Sequence, residues 1–229
     1  GVGVEVFELS GNALIPLPNG KLTSKLITTP NGIAATRLGE IYVSNMSAHG
    51  GIRGRLSNVF RANNGNVIHY RDGEWMTEIS PVRFGNGLLL SPDESQLWVA
   101  AFADRKIHRY RRDTGAGKLT HEVTIELEAY PDNIKWSTFP ELVAAVHPSY
   151  WRTGLHITLP KMFHSRSAVA MIRDATAAAP VAEIVIEHRS GKVISPASTA
   201  IVHGRRVFLS QIKRSFLADC PAPERPAMK

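Results

Sequence analysis

Asn31, Asn86 and Asp132, with Asn133 beside the last, are the residues whose types and spacing could do chemistry together. Each stands second in a recurring segment that continues as a short apolar run, a turn and a second apolar run. Amide and carboxylate oxygens are hard donors, suited to calcium rather than to zinc or copper. Brought to one point, three of them would make a calcium site. Singly, Asn-Gly and Asp-Asn are also ordinary turn formers, because both tolerate positive φ. Their recurrence at aligned positions favours the metal reading. His147 closes the segment that Asp132 opens. In an antiparallel hairpin it would stand beside Asp132, as a general base or a holder of a carbonyl. A hydrogen-bonded loop histidine is the alternative.

Four segments position these residues: Pro30 to Asn45, Gly85 to Ala101, Pro131 to Val146 and Pro196 to Gln211. The second apolar runs centre on Tyr42, Trp98, Val143 and Phe208. From the aligned Asn31, Asn86, Asp132 and Ala197 these lie 11, 12, 11 and 11 residues on. The aligned starts are 55, 46 and 65 residues apart. A period of about 40–50 residues with several short strands per unit is the signature of propeller blades. Between the repeats, Val67 to Arg71, Lys106 to Arg111 and His121 to Glu128 read as further strands. Helical periodicity is nearly absent, and a β-sandwich would leave the repeat unexplained. The expectation is an all-β chain: a β-propeller of the six-bladed type, incomplete, with about four blades and part of another. Residues 1–220 form one such domain and residues 221–229 a disordered Pro-rich tail.

The chain has 229 residues, 43% of them apolar, enough for one sizeable core. No apolar run approaches the length of a membrane helix, and no signal peptide is visible. The formal charge of +7 raises a nucleic-acid reading. Its densest stretch, Arg105 to Arg112, reads instead as a solvated outer strand whose charge guards a sheet edge. Cys220 is the only cysteine, so no disulfide can form within the chain. His49, His156 and His164 lie in loops or in a long insertion and read as solvent-facing or lid residues.

The stretch FGNGLLLSPDESQLWVAAFADRKIHRY, from Phe84 to Tyr110, resembles a central blade of the paraoxonase/arylesterase family. That family sits within the SMP-30/gluconolactonase/strictosidine-synthase-like superfamily of six-bladed propellers. YPDNI (Tyr130 to Ile134), VHP (Val146 to Pro148) and STAIVHGRRVFLSQI (Ser198 to Ile212) are similar too. The resemblance implies a catalytic calcium in the channel, with the family's ligands falling on Asn31, Asn86, Asp132 and Asn133. It implies an active-site wall histidine at His147. The metal of that family polarises the carbonyl of a lactone or ester and stabilises the oxyanion.

Some family features have no counterpart here. The glutamate ligand, the histidine pair and the disulfide partner of Cys220 would all fall before Gly1. The expectation is therefore a chain lacking the first blade. Gly32 stands where the family has an Asp that serves a second, structural calcium, and Met46 stands where an acid is expected. The expected function is a calcium-dependent hydrolase acting on a small lactone or aryl ester, with no nucleic-acid partner and no membrane span. A non-catalytic propeller that binds a ligand or protein partner on its open face is the alternative.

Overall fold

Short runs of β-branched and aromatic residues bounded by Gly, Pro, Asn and Asp favour strands joined by tight turns. The computed structural model of the protein describes residues 2–213 and 215–222. Strands β1 (Gly3–Ser10) and β2 (Ala13–Thr23) form a separate hairpin. β3 (Pro30–Ala35), β4 (Ile41–Asn45), β5 (Gly65–Arg71) and β6 (Glu74–Val82) form the first four-stranded blade. Helix α1 (Gly51–Val59) lies in its β4–β5 connection. The second blade is β7 (Gly85–Leu90), β8 (Gln96–Ala101), β9 (Lys106–Arg112) and β10 (Leu119–Glu126). The third is β11 (Tyr130–Trp136), β12 (Leu142–His147), β13 (Ser167–Arg173) and β14 (Val181–His188), with helix α2 (Tyr150–Thr158) between β12 and β13. β15 (Ala197–His203), β16 (Arg206–Gln211) and β17 (Ala218–Pro221) make a three-stranded fourth blade.

All pairings are antiparallel, and the four inner hairpins coincide with the four sequence repeats. The result is an incomplete β-propeller of four blades preceded by a hairpin. The turns have the residues their geometry demands. Asp72 and Gly73, between β5 and β6, take φ of 52° and 87°, as a two-residue hairpin loop requires. Of the expected tail, Pro221 ends β17 and the Ala222 N–H donates to Arg205 O (2.8 Å). Residues 223–229 lie outside the described residues.

Apolar side chains fill the spaces between blades. Tyr42, Val67, Leu88, Leu97 and Val99 pack blade one on blade two. Trp98, Ile107, Ile134, Leu142 and Ile172 pack blade two on blade three. Because blades cover both faces of a middle strand, β12 (LVAAVH) is buried at every position. The inner strands β3, β7, β11 and β15 lie side by side in that order. Their approach requires glycine. A Cβ at Gly87 would stand 2.7 Å from Asp132 O and 2.9 Å from Asn133 Cα, and one at Gly32 would collide with Asn86 O.

The basic strand departs from expectation. Arg109 and Arg112 are each only 5% exposed and brace adjoining blades. Arg109 Nη1 donates to Ala175 O and Ala177 O, both at 2.8 Å, linking blade two to blade three. Arg112 reaches blade one, donating from Nε to Tyr42 Oη (2.9 Å) and from Nη2 to Glu40. His69 stacks on Tyr42, with ring centroids 4.2 Å apart, and meets Glu40 Oε2 at 3.1 Å. Alternation along β9 sends its odd and even arginines to opposite faces, and each face meets another blade.

This network sets a pH dependence. Burial opposes the Glu40 carboxylate, but Arg112, seconded by His69, holds its pKa below the ordinary value. Burial lowers the pKa of His69 against the pull of Glu40. Burial pushes the Tyr42 phenol up to about 12, so it remains a donor. A group whose pKa is lower in the folded chain stabilises it above the unfolded pKa and ceases to as pH falls through the folded one. Stability should therefore decline below about pH 6.5, where the unfolded His69 takes up a proton, and again below about 4.3, the ordinary range of Glu. Denaturant melts across this range test it: His69→Gln should make the first limb shallower, the remainder coming from His108, and a flat parent profile down to about pH 5 would contradict the assignment. Independently, Gly87→Ala should cost about 1–3 kcal/mol by overpacking the inner strands, read as a lower urea midpoint at unchanged slope.

Candidate active site

The inner hairpins of the first three blades share one irregularity. Pro30 faces Asn45 and Ile33 faces Val43, so Asn31 and Gly32 together oppose Ser44. In the same way Asn86 and Gly87 oppose Ala100, and Asp132 and Asn133 oppose Ala145. Two residues against one is a β-bulge, which takes a side chain out of the regular alternation and re-aims it. In the fourth blade Ser198 is the extra residue, between Ala197 facing Gln211 and Thr199 facing Ser210. Asn31, Asn86, Asp132, His147 and Ser198 all line one cavity of about 630 Å³.

Hydrogen bonds hold these residues from below and beside. Ser44 Oγ accepts from the Gly32 N–H (2.8 Å) and donates to Asn86 O (2.5 Å), tying blade one to blade two. His147 is fully buried, and its Nε2 lies 3.0 Å from Asp132 Oδ2. A carboxylate only accepts, so Nε2 donates, and in the neutral tautomer the lone pair stands on Nδ1. Nδ1 has no partner within the protein. Asn133 Nδ2 donates to Ser198 O (3.1 Å), Ser198 Oγ (3.2 Å) and Asp132 Oδ1 (3.3 Å).

These residues suit a hard cation. Asn86 is 3% exposed, and its side-chain Oδ1 has no hydrogen-bond partner. A buried carbonyl oxygen without a partner costs free energy unless something positive faces it. The Asp132 oxygens each keep a lone pair beyond their contacts with His147 and Asn133. Asn31 is exposed at the cavity mouth. Among the described residues no three His, Cys, Asp or Glu side chains cluster as a metal site, so the donor set is rich in amides.

Helices and aromatic rings cover the site. Phe84, Phe102 and Tyr150 line the cavity, with Phe102 5.6 Å from the His147 ring. From α2, Trp151, Leu155 and Ile157 line it too. The Tyr150 hydroxyl donates to Asn58 O, joining the two helices. The Arg61 guanidinium sits 5.4 Å from the Tyr130 ring and 5.3 Å from the Tyr150 ring. The expectation of almost no helix is thus corrected. Both helices are only nine residues long, too short for a periodic signal to stand out, and α1 opens on glycine. Ser149 caps α2, its Oγ accepting from the Arg152 N–H (3.4 Å).

Of the two readings of His156, solvent-facing is overturned: it lies on the roofing helix α2 and is buried on its inner side, with Nδ1 2.5 Å from Phe163 O. His164 is exposed and His49 half-buried. Sequence reasoning missed Ser198, because it aligned Ala197 with the Asn and Asp positions. The extra bulge residue falls one place later.

A sequence model described as Arylesterase matches residues 2–219. The chain belongs to the arylesterase family. No curated protein matches it. Among solved structures, this arylesterase-family chain is similar to a luciferin-regenerating enzyme, at 13% identity and a TM-score of 0.56, over 91% of this chain and 63% of that one. It is also similar to a regucalcin, described as a calcium-binding protein, from Agrobacterium tumefaciens. There the identity is 11% and the TM-score 0.51, over 80% of this chain and 53% of that one. Likeness at such identity speaks for the fold alone, and the chain spans less than two thirds of either protein. At Met46 and Gly32 the resemblance leads to the expectation of an acid and an Asp. Met46 lines the cavity, and beside Gly32 the space an Asp side chain would need holds Asn86 O and Ser44 Oγ.

The roof generates a prediction. Tyr150→Phe removes the hydroxyl that joins α2 to α1 and should cost about 0.5–1.5 kcal/mol. Hydrogen exchange should quicken in residues 51–60 and 150–158 while β7 and β8 stay protected; unchanged exchange in both helices would show that this bond does not hold the roof.

Proposed function

We propose that the cavity binds a small ester or lactone and belongs to a calcium-dependent hydrolase. The observation that carries this reading is the set of three successive bulges that bring Asn31, Asn86 and Asp132 to one cavity, with Asn86 Oδ1 buried and unpartnered. Family membership supports the ester-cleaving chemistry. Asn31, Asn86 and Asp132 would hold the ion, with Asn133 beside them. A calcium ion bound there supplies Lewis-acid polarisation of a carbonyl and stabilises the charge that develops on its oxygen.

The remaining roles fall to the chain's own groups. Asp132 orients the His147 ring, leaving Nδ1 as the atom able to hold or take a proton. Phe84, Phe102, Tyr150 and Trp151 give an apolar wall that accommodates an acyl or aryl group and excludes water. A second reading, a propeller that binds without turnover, draws support from Met46, which places a thioether in the cavity where an acid is expected. Binding of an aryl ester with no hydrolysis would favour it.

Calcium should raise the melting temperature, because a ligand of the folded state stabilises it by about 2.7 kcal/mol at a hundredfold excess over Kd. Asp132→Ala removes the one carboxylate and should abolish the rise; Asn86→Ala should weaken calcium binding by about tenfold or more. Hydrolysis of aryl esters and lactones should follow the same order. A calcium-induced rise in Asp132→Ala equal to that of the parent protein would overturn the site.

A further inference from the structure

The outer half of the second blade gathers side chains that the cavity does not use. β10 pairs with β9 through His121–Tyr110, Val123–Arg109 and Thr124–His108, with a register shift between His121 and Val123. Glu122 is the extra residue of this bulge. Residues three apart on a regular strand point to opposite faces. The extra residue instead returns His121 to the face of Thr124, along with His108 and Tyr110. On that face His108 Nδ1 and His121 Nε2 each lie 3.0 Å from Thr124 Oγ1. The two imidazole rings are 5.5 Å apart, and the Tyr110 ring is 5.4 Å from that of His121.

A threonine hydroxyl has one proton, which it can give to only one of the two nitrogens. The other must then donate to it, or face it with a lone pair. A divalent ion bound beside the hydroxyl oxygen, which keeps its proton, would let both imidazoles present lone pairs to it. Burial, and then the neighbouring His121 and Lys106, hold His108 below its ordinary pKa, which favours its neutral form. His121 and Thr124 are exposed, so an ion has open access and room for water ligands. The nearby carboxylates are engaged elsewhere: Glu126 with Lys106 (3.1 Å) and Glu122 with Arg109 (3.2 Å).

We propose that His108 and His121, converging on the Thr124 hydroxyl, form a surface site for a divalent transition metal of the zinc, nickel or copper class that clips β9 to β10. Imidazole nitrogen suits these ions, whereas calcium takes oxygen. Small side-chain rotations would bring both nitrogens to the distance of about 2.0–2.1 Å that zinc requires. The site is independent of the ester-hydrolase reading.

The test is calorimetric titration of zinc chloride into the untagged chain, in a non-chelating buffer with calcium in excess. One zinc per chain should bind, and the ring resonances of His108 and His121 should shift together in ¹H–¹⁵N spectra. His121→Gln alters an exposed side chain and should weaken zinc binding by about tenfold or more, while the calcium-induced rise in melting temperature stays that of the parent. His108→Gln should do the same. No zinc uptake by the parent chain would overturn the proposal, as would zinc binding by His121→Gln equal to that of the parent.

Discussion

Backbone lies directly on backbone where the inner strands meet, and the rest of the structure depends on that approach. At Gly32 and Gly87 the neighbouring strand occupies the space a Cβ would take. Each of these glycines is the second residue of a bulge whose first is Asn31 or Asn86. One local device therefore does two things. The bulge aims the amide into the cavity, and the glycine lets the next blade come close enough for its own amide or carboxylate to reach the same place. In the third blade Asn133 takes the glycine's place, and its side chain bonds Ser198 of the fourth blade.

Blades held only by apolar packing could slide, because dispersion and burial have little direction. The polar braces supply direction. Arg112 and Tyr42 lock blade one to blade two, as Ser44 does at the level of the cavity, and Arg109 locks blade two to blade three. Those bonds join the blades that carry Asn31, Asn86 and Asp132, so the geometry of the site rests on inter-blade contacts, those of Arg109 and Arg112 made away from it.

Much of this was legible in the residues. The four repeats marked the inner hairpins because apolar runs, turns and small polar pairs are local signals. Asn31, Asn86 and Asp132 stood out because the repeat aligned them, and His147 because hairpin pairing places the end of one strand beside the start of the other. Ser198 escaped because its bulge is one residue out of phase with the others. Arg109 and Arg112 were read as solvent-facing, and His156 as solvent-facing or a lid residue, because charge and loop position say nothing about what packs above them. α1 and α2 escaped because nine residues, little more than two helical turns, carry little periodic signal.

The sequence by itself determined the four inner hairpins, their turns and their order, and which oxygen-bearing side chains recur at their starts, all of which follow from interactions among residues close along the chain. Only the tertiary structure decided that the donors share one cavity, that His147 turns its Nε2 to Asp132, and that two short helices roof the site. These depend on contacts between blades some 45–65 residues apart, where the packing of neighbouring sheets, rather than any local preference, sets which atoms meet.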